Sequence, residues 1–526
     1  MPKTSFTLRD KSTSSKKLHV TPVKRTTIKA GIALFFVLAC WSLSNPPGST
    51  PDEWFQLGSI WCADGVDSNS CSQIEDAGII DQYQMGNVNL DYSSCLIPIK
   101  SEIRKCAQPS FDYQPMNSGA YPSGIYKILH IFVPIGTSLS VLVMRLFSAL
   151  LAVVFFVAQL LLMDNKRKIA WLTGFSFTLI PMAIFLLSSL HPSGWAITGV
   201  TNGWMFLNIA LTKQETTLRR RTIPLLLWVL CGFICLVSRY DAFLFFVASS
   251  IISLAVCSQI SRLIQPQRIA QASIAAVTAS VLLFKLSPLV RSVLTFPNKH
   301  LPGQAGASQW ISHWLLNTIA VPVETLGTGL IGTFVTNNPL FALRIGKVSQ
   351  PEIPNVVWII GIALLGGVFL FSLINISKIQ IATLAGLFLL LTWVILGVSS
   401  RLERDLFNVP GRYIIPLVPF IVGITVYLSR SPIQLMEIRS LRTLSIGLLS
   451  FIHFIALHSV VETYTDTQSF ALLPIHVGES GWWWIGLPFG PNFVVIVGSI
   501  CFVKFLFLAW STVPITTTIN ELSRKI

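Results

Sequence analysis

Asn45-Pro-Pro-Gly-Ser-Thr-Pro-Asp-Glu-Trp-Phe-Gln-Leu-Gly-Ser-Ile-Trp61 follows directly on the first long apolar run of the chain. Its prolines, Pro46, Pro47 and Pro51, each lack an amide donor and fix φ, so a helix arriving from residue 44 stops here. Asp52 and Glu53 come next. Behind them Trp54, Phe55, Leu57, Ile60 and Trp61 mark a short amphipathic stretch. Tryptophan favours the membrane–water boundary, so this stretch reads as an interfacial helix. An adjacent carboxylate pair is therefore expected at that boundary, pinned by a rigid turn.

Working outward, the 526 residues are 52% hydrophobic and 12% charged, with a mean hydropathy of +0.65. That composition, with long apolar runs throughout, is that of an integral membrane protein. A net charge of +15 in a soluble protein would suggest nucleic acid. Here the basic residues sit in short loops between apolar runs, where they report topology, and no nucleic acid is expected. Met1–Lys29 is polar and basic, and no Ala-x-Ala-like cleavage sequence follows Leu43, so the first apolar run is expected to stay as an anchor.

The hydropathy pattern predicts an all-α polytopic membrane protein of about 12 transmembrane helices, each near the roughly 20 residues a bilayer needs. The expected spans are 28–44, 139–163, 169–189, 193–212, 223–238, 242–257, 270–290, 355–375, 380–398, 412–429, 443–460 and 492–511. A basic tail (1–27) precedes this transmembrane domain (28–511), and a second tail (512–526) follows it. The segments assigned to one side hold 23 of the 38 lysines and arginines, but only five of the 23 acids. By the positive-inside rule that side is cytoplasmic, both termini with it, and the Asp52–Glu53 pair faces outward. The expected location is a bacterial plasma membrane.

Three loops on the outer side are large: 45–138, 291–354 and 461–491. Chemistry is expected on that face. Cys40, Cys231, Cys235, Cys257 and Cys501 fall in or at the ends of spans and read as packing residues. Cys62, Cys71, Cys95 and Cys106 all fall in the first loop, which in an oxidising compartment predicts two disulfides, with the neighbour pairing 62–71 and 95–106 preferred. Zinc is the weaker alternative, because no CxxC or nearby histidine pair accompanies them. His191, His300 and His476 are scattered singly and suggest no metal site. No Walker or Rossmann fingerprint stands between a strand and a helix, which argues against an ATP-driven pump and a soluble nucleotide-sugar enzyme.

The layout resembles the membrane-embedded glycosyltransferases of the GT-C fold, which use polyprenyl-phosphate sugars. Asp52-Glu53 stands where that family carries an acidic motif early in its first outer loop. Gln114-Pro-Met-Asn-Ser-Gly-Ala-Tyr-Pro-Ser-Gly-Ile-Tyr126 looks like its Pro/Tyr-rich segment, and Met144-Arg-Leu-Phe-Ser-Ala-Leu-Leu151 is similar to the Arg-x-x-Ser-x-Leu run opening its second helix. A closer resemblance is to an uncharacterised bacterial family of predicted membrane proteins, many from actinobacteria. Its hallmarks are present here as Pro51-Asp-Glu53 and Gly411-Arg-Tyr-Ile-Ile-Pro416. Where many of its members carry Asn-Pro-Asp, this chain has His191-Pro-Ser-Gly194, so the role of that acid does not carry over.

The resemblance implies glycosyl transfer to a cell-envelope glycan or lipid-linked acceptor, with membrane lipid and a polyprenyl-phosphate sugar donor as partners. Asp52 would then be the general base, with Glu53 orienting it or assisting a divalent ion, Mg or Mn. Arg239, Arg412, Arg145 and Arg404, cations at the outer ends of spans, would bind the donor phosphate through the paired donors of guanidinium. Ser238-Arg-Tyr-Asp241 and Arg401-Leu-Glu-Arg-Asp405 carry their own acids, so local neutralisation is the competing reading. Tyr121, Tyr126, Tyr240, Tyr413, Trp482 and Trp483 are expected to line the substrate, although the tryptophans also suit an interfacial belt. A lipid-linked glycan flippase or a non-catalytic assembly protein are the alternatives. The first predicts internal repeats and ionisable groups at mid-membrane depth, and apart from Lys504 the spans are nearly uncharged.

Overall fold

The computed structural model describes residues 22–50, 53–65, 68, 70, 121–135, 137–179, 181–211, 218–256, 353–374, 376, 380–381, 383–387, 413–429, 435–465, 482–484 and 488–515. Its described elements are helices: α1 (Pro22–Leu43), α2 (Glu53–Trp61), α3 (Gly124–His130), α4 (Thr137–Leu162), α5 (Asn165–Thr178), α6 (Pro181–Leu187) and α7 (Pro192–Leu211). Then follow α8 (Leu218–Ser238), α9 (Tyr240–Val256), α10 (Asn355–Leu373), α11 (Val418–Leu428), α12 (Arg439–Tyr464) and α13 (Pro491–Ser511).

Among the described residues five helices are long and apolar enough to cross a membrane, or six if α5 and α6 count as one span. The pattern of about 12 spans is finer than this, and the expected span 270–290 lies outside the described residues. Two boundaries differ in instructive ways. α1 starts at Pro22, so residues 22–27, assigned to the tail, are helical; proline's fixed φ suits a first helical position, where its missing N–H is not needed. Residues 169–189, expected as one span, are two helices bent by 95°. Pro181 opens the second, having no amide to continue the ladder of α5.

α7 is the central helix, buried from Pro192 to Ala210, with α8, α9 and α4 packed around it. α1 lies between α4 and α13, α12 packs on α13 and α10, and α5 packs on α11. Small residues set the closest of these approaches, as expected where van der Waals contact rather than water expulsion joins helices. A Cβ on Gly174 of α5 would stand 2.3 Å from the Pro419 carbonyl oxygen of α11, and one on Gly199 of α7 2.4 Å from Cys235 Sγ of α8.

The outside of the bundle is apolar. Leu226, Val229 and Phe233 of α8 are 63%, 58% and 51% exposed, and Phe507 of α13 is 66% exposed. Such stripes fit a hydrocarbon surround.

The helix ends sort into two faces. On one, Asp164 caps α5 by accepting from Arg167 N at 2.9 Å, Arg167 Nε donates to Asn208 Oδ1 at 2.7 Å, and Lys166 lies over the Tyr427 ring at 4.9 Å. Arg442 donates there to the backbone carbonyls of Met436 (2.6 Å), Trp510 (3.0 Å), Val513 and Pro514 (3.2 Å each). The other face gathers the end of α1, all of α2 and α3, the starts of α4, α7, α9 and α13, and the ends of α8 and α12.

Candidate functional site

The proline turn sits on that second face, and its construction begins with a shortage of donors. A helix end leaves carbonyls without partners, and Pro46 and Pro47 bring no N–H to meet them. Trp41 O accepts from Ser44 N at 3.2 Å and from Ser44 Oγ at 2.8 Å. Ser42 O accepts from Arg145 Nη1 at 2.7 Å, and Leu43 O from Trp484 Nε1 at 3.0 Å. Gly48 turns the chain back at φ +85°, a left-handed conformation glycine adopts without strain. Its N–H then donates to Glu53 Oε2 at 2.9 Å.

Arg145 on α4 holds the turn together. Nε donates to Glu53 Oε1 at 2.9 Å, Nη2 to Glu53 Oε2 and to Pro46 O (2.9 Å), and Nη1 to Ser42 O and Asn45 O (3.0 Å). All five guanidinium N–H groups therefore have acceptors. Both side chains of the pair are fully buried. A bidentate, fully satisfied contact is the form in which a buried ion pair is tolerated. From the far side Tyr464 donates to Ser49 O at 3.2 Å; burial pushes its phenol up to about 12, keeping it a neutral donor. Trp483 meets Tyr464 edge-on at 6.0 Å and Trp482 at 4.6 Å. These tryptophans thus pack over the turn.

α2 departs from the interfacial helix the sequence suggests. Among its described side chains Gln56, Leu57, Ser59, Ile60 and Trp61 are at most 3% exposed, so that part of the helix is enclosed by protein. α3 encloses it: Tyr126 donates from its hydroxyl to Gln56 Oε1 at 2.7 Å, while His130 Nδ1 stands 2.8 Å from Ile60 O, at the end of α2, and its Nε2 3.2 Å from Asp64. The Tyr126 hydroxyl is occupied in this way, a position not visible from spacing.

α3 also packs on α8, with Gly124 against Val237 close to the end of that helix. Arg239 follows at once. It is 1% exposed, donates from Nε to Asp241 Oδ1 at 2.9 Å and from Nη2 to Asp241 Oδ2, and from Nη1 to the Ser193 hydroxyl. Its guanidinium lies over the Tyr413 ring at 4.6 Å, within cation–π range. Burial opposes the charge, yet Asp241, with Tyr121 and Tyr413 nearby, holds Arg239 above its ordinary pKa. Ser193 is placed by His191, whose Nδ1 accepts from Ser193 N at 3.0 Å at the start of α7, and Tyr121 meets the His191 ring edge-on at 6.5 Å.

Of the expected site residues, Glu53 and Arg145 meet each other, and Tyr121 and Tyr413 meet around Arg239. Tyr240 opens α9, half-buried beside them. Asp52, Arg404, Arg412, Cys71, Cys95 and Cys106 lie outside the described residues; Cys62 is disulfide-bonded, while Cys40, Cys231, Cys235 and Cys501 are free. Spacing did not reveal Ser193 or Trp484 as partners. Glu53 does not fit a divalent ion: its oxygens already accept three N–H groups, two from a cation. Among the described residues no three His, Cys, Asp or Glu side chains group to hold one.

Apolar exterior stripes, buried polar caps and helix ends sorted to two faces define an all-helical, multi-pass membrane protein. The chain belongs to the DUF2142 family of predicted membrane proteins, whose family profile matches residues 35–421, from within α1 to within α11. That range takes in the proline turn, Arg145, Arg239 and Tyr413. No curated protein and no solved structure matches the chain.

Proposed function

We propose that the protein is a membrane glycosyltransferase of GT-C type. It moves a sugar from a polyprenyl-phosphate donor to a cell-envelope glycan or lipid-linked acceptor, on the outer face of a bacterial plasma membrane. The observation that carries the reading is that the acidic turn and the Arg239 cluster occupy one end of the bundle, with α3 packed against both α2 and α8. A base and a phosphate-stabilising cation are the two charges such a transfer needs.

In this reading the acceptor hydroxyl gives its proton to Asp52 as its oxygen attacks the anomeric carbon. The bond to the donor phosphate breaks, and the negative charge left on the polyprenyl phosphate is met by Arg239. A single displacement of this kind inverts the anomeric centre. Glu53, engaged by Arg145 and Gly48 N, is a positioning residue for the turn rather than a second base, and Arg145 acts with it instead of meeting phosphate. Arg404 and Arg412 are further phosphate ligands in the proposal, and Tyr413 precedes the donor site as its aromatic wall. Trp482 and Trp483, tilted against each other beside Tyr464, suit a sugar face.

The test is sugar transfer by purified protein with a synthetic polyprenyl-phosphate sugar, compared between the parent and D52N proteins. Transfer by the parent and its loss in D52N, with unchanged melting, support the reading. Vectorial movement of lipid-linked sugar without transfer would replace it with the flippase.

A further inference from the structure

Arg145, Arg239, Arg442 and Lys168 are the buried lysines and arginines among the described residues. Each arginine is matched: Arg145 by Glu53, Arg239 by Asp241, and Arg442 by the backbone carbonyls of Met436, Trp510, Val513 and Pro514. Lys168, 7% exposed on α5, is different. Among the described residues no hydrogen bond or ion pair reaches its Nζ, whereas Lys166 lies over Tyr427 and Arg167 engages Asp164 and Asn208. Asp164 acts on Lys168 through space, but both its oxygens are held by Arg167. Lysine is rarely this buried without a partner anion.

A second anomaly lies across the corner between α4 and α5. Gln159 of α4 is fully buried, yet neither its Nε2 nor its Oε1 has a hydrogen-bond partner. An amide left so is costly. Only Met163 and Asp164 join the two helices, so positions counted from the corner face each other. Gln159 stands four residues before Met163, and Lys168 four after Asp164. One turn farther in, Phe156 meets Trp171 at 5.6 Å and Phe175 at 5.3 Å, so these faces of α4 and α5 look at one another. Gln159 follows Phe156 by three residues and Lys168 precedes Trp171 by three, the spacing that keeps side chains on one helix face. The unpartnered ammonium and the unpartnered amide therefore share one level, between the aromatic contact and the corner.

We propose that this corner is a binding site for a phosphate group with an adjoining hydroxyl, held by Lys168 and Gln159. The ammonium meets the phosphate as a point charge. Gln159 Nε2 donates to a second phosphate oxygen and Oε1 accepts from the hydroxyl, so both amide atoms gain the partners they lack. The aromatic contact closes the inner side, so the ligand comes from the ends of the helices. That is the depth of the lipid headgroups, where an anionic phospholipid with a glycerol headgroup presents both groups. Hydrogenphosphate presents them too. Bound phosphate neutralises a buried cation and bridges α4 to α5. The site is at the opposite end of α4 from Arg145 and the acidic turn, so it stands apart from sugar transfer.

The experiment reads binding from the melting temperature, which a ligand of the folded state raises. Full-length protein in dodecyl maltoside is titrated with dioctanoyl phosphatidylglycerol, dioctanoyl phosphatidylcholine and inorganic phosphate at constant ionic strength. The parent is compared with K168M, Q159L and K166Q. Phosphatidylglycerol should raise the melting temperature of the parent and of K166Q. Affinity should fall about tenfold or more in K168M, which loses the charge, and about fivefold in Q159L. Without ligand K168M should melt no lower than the parent, because the charge it removes leaves no partner behind. A response to phosphatidylglycerol alone identifies a lipid headgroup; an equal response to inorganic phosphate identifies a free anion, and either supports the site. A parent that responds to neither, or as strongly to phosphatidylcholine, overturns it. So do K168M or Q159L proteins that bind as the parent does, and a K168M protein that fails to fold.

Discussion

Arg145 and Glu53, 92 residues apart in sequence, form a bidentate contact with Nε–Oε1 at 2.9 Å and both side chains fully buried. The same arginine binds the carbonyls of Ser42, Asn45 and Pro46, so a single side chain of α4 ties Glu53 to the end of α1 and the start of the proline turn. Removing one partner of such a pair leaves a buried charge uncompensated and costs about 3–5 kcal/mol. R145A and E53A are each expected to lower the unfolding temperature in detergent sharply. R145K should also lose stability, because lysine cannot reach two carboxylate oxygens and three carbonyls at once. Thermal unfolding of purified variants checks this, and an R145K protein as stable as the parent would contradict it.

The turn is tied from the other side by Tyr464. Its phenol is buried and pushed up to about 12, whereas the unfolded chain has the ordinary value of 10.0. The fold thus prefers the neutral form, so its contribution is complete below pH 10 and is lost as pH rises towards 12. Melting temperatures of the parent should fall through that window, and those of Y464F should fall less. At neutral pH Y464F should cost about 1 kcal/mol, the worth of the hydrogen bond to Ser49 O.

Helix contact through glycine gives a paired prediction. G174A places a methyl 2.3 Å from a backbone oxygen of α11 and should destabilise by about 1–3 kcal/mol or more. G366A meets nothing within 4 Å and should leave stability unchanged or slightly raised. Equal behaviour of the two in a thermal scan would deny that α5 and α11 are in contact.

The sorting of helix ends to two faces predicts opposite labelling. Asp64, 65% exposed at its side chain, lies just after α2 on the turn-bearing face, and exposed Ser440 lies at the start of α12 on the other. A membrane-impermeant maleimide should label D64C in intact cells, and S440C only after permeabilisation. The reverse pattern would invert the orientation inferred from charge.

Much of this architecture is legible in the sequence because span ends are written locally. α4, α7, α9 and α13 begin within two residues of where the apolar runs place them, at Thr137, Pro192, Tyr240 and Pro491. The proline stop after α1 was equally readable. What local pattern does not carry is pairing across the chain. Arg145 showed only as a cation at membrane depth, which fits a ligand contact as well as it fits Glu53. Asp241, two residues from Arg239, was readable as a local partner, whereas Ser193, 46 residues away, was not. The amphipathic pattern of α2 was real, but it could not say that α3 covers the helix. The break between α5 and α6 was missed because hydropathy averages over Pro181, where the backbone loses a donor.

The most direct measurement is sugar transfer by D52N beside the parent, with a synthetic polyprenyl-phosphate sugar and R145K as a control for turn geometry. Proton abstraction by a positioned carboxylate is worth about 10²–10⁴-fold, so D52N should fall by that factor with its melting temperature unchanged. R145K should fall together with its stability. Undiminished transfer by folded D52N would contradict the assignment of the acidic turn as the catalytic base.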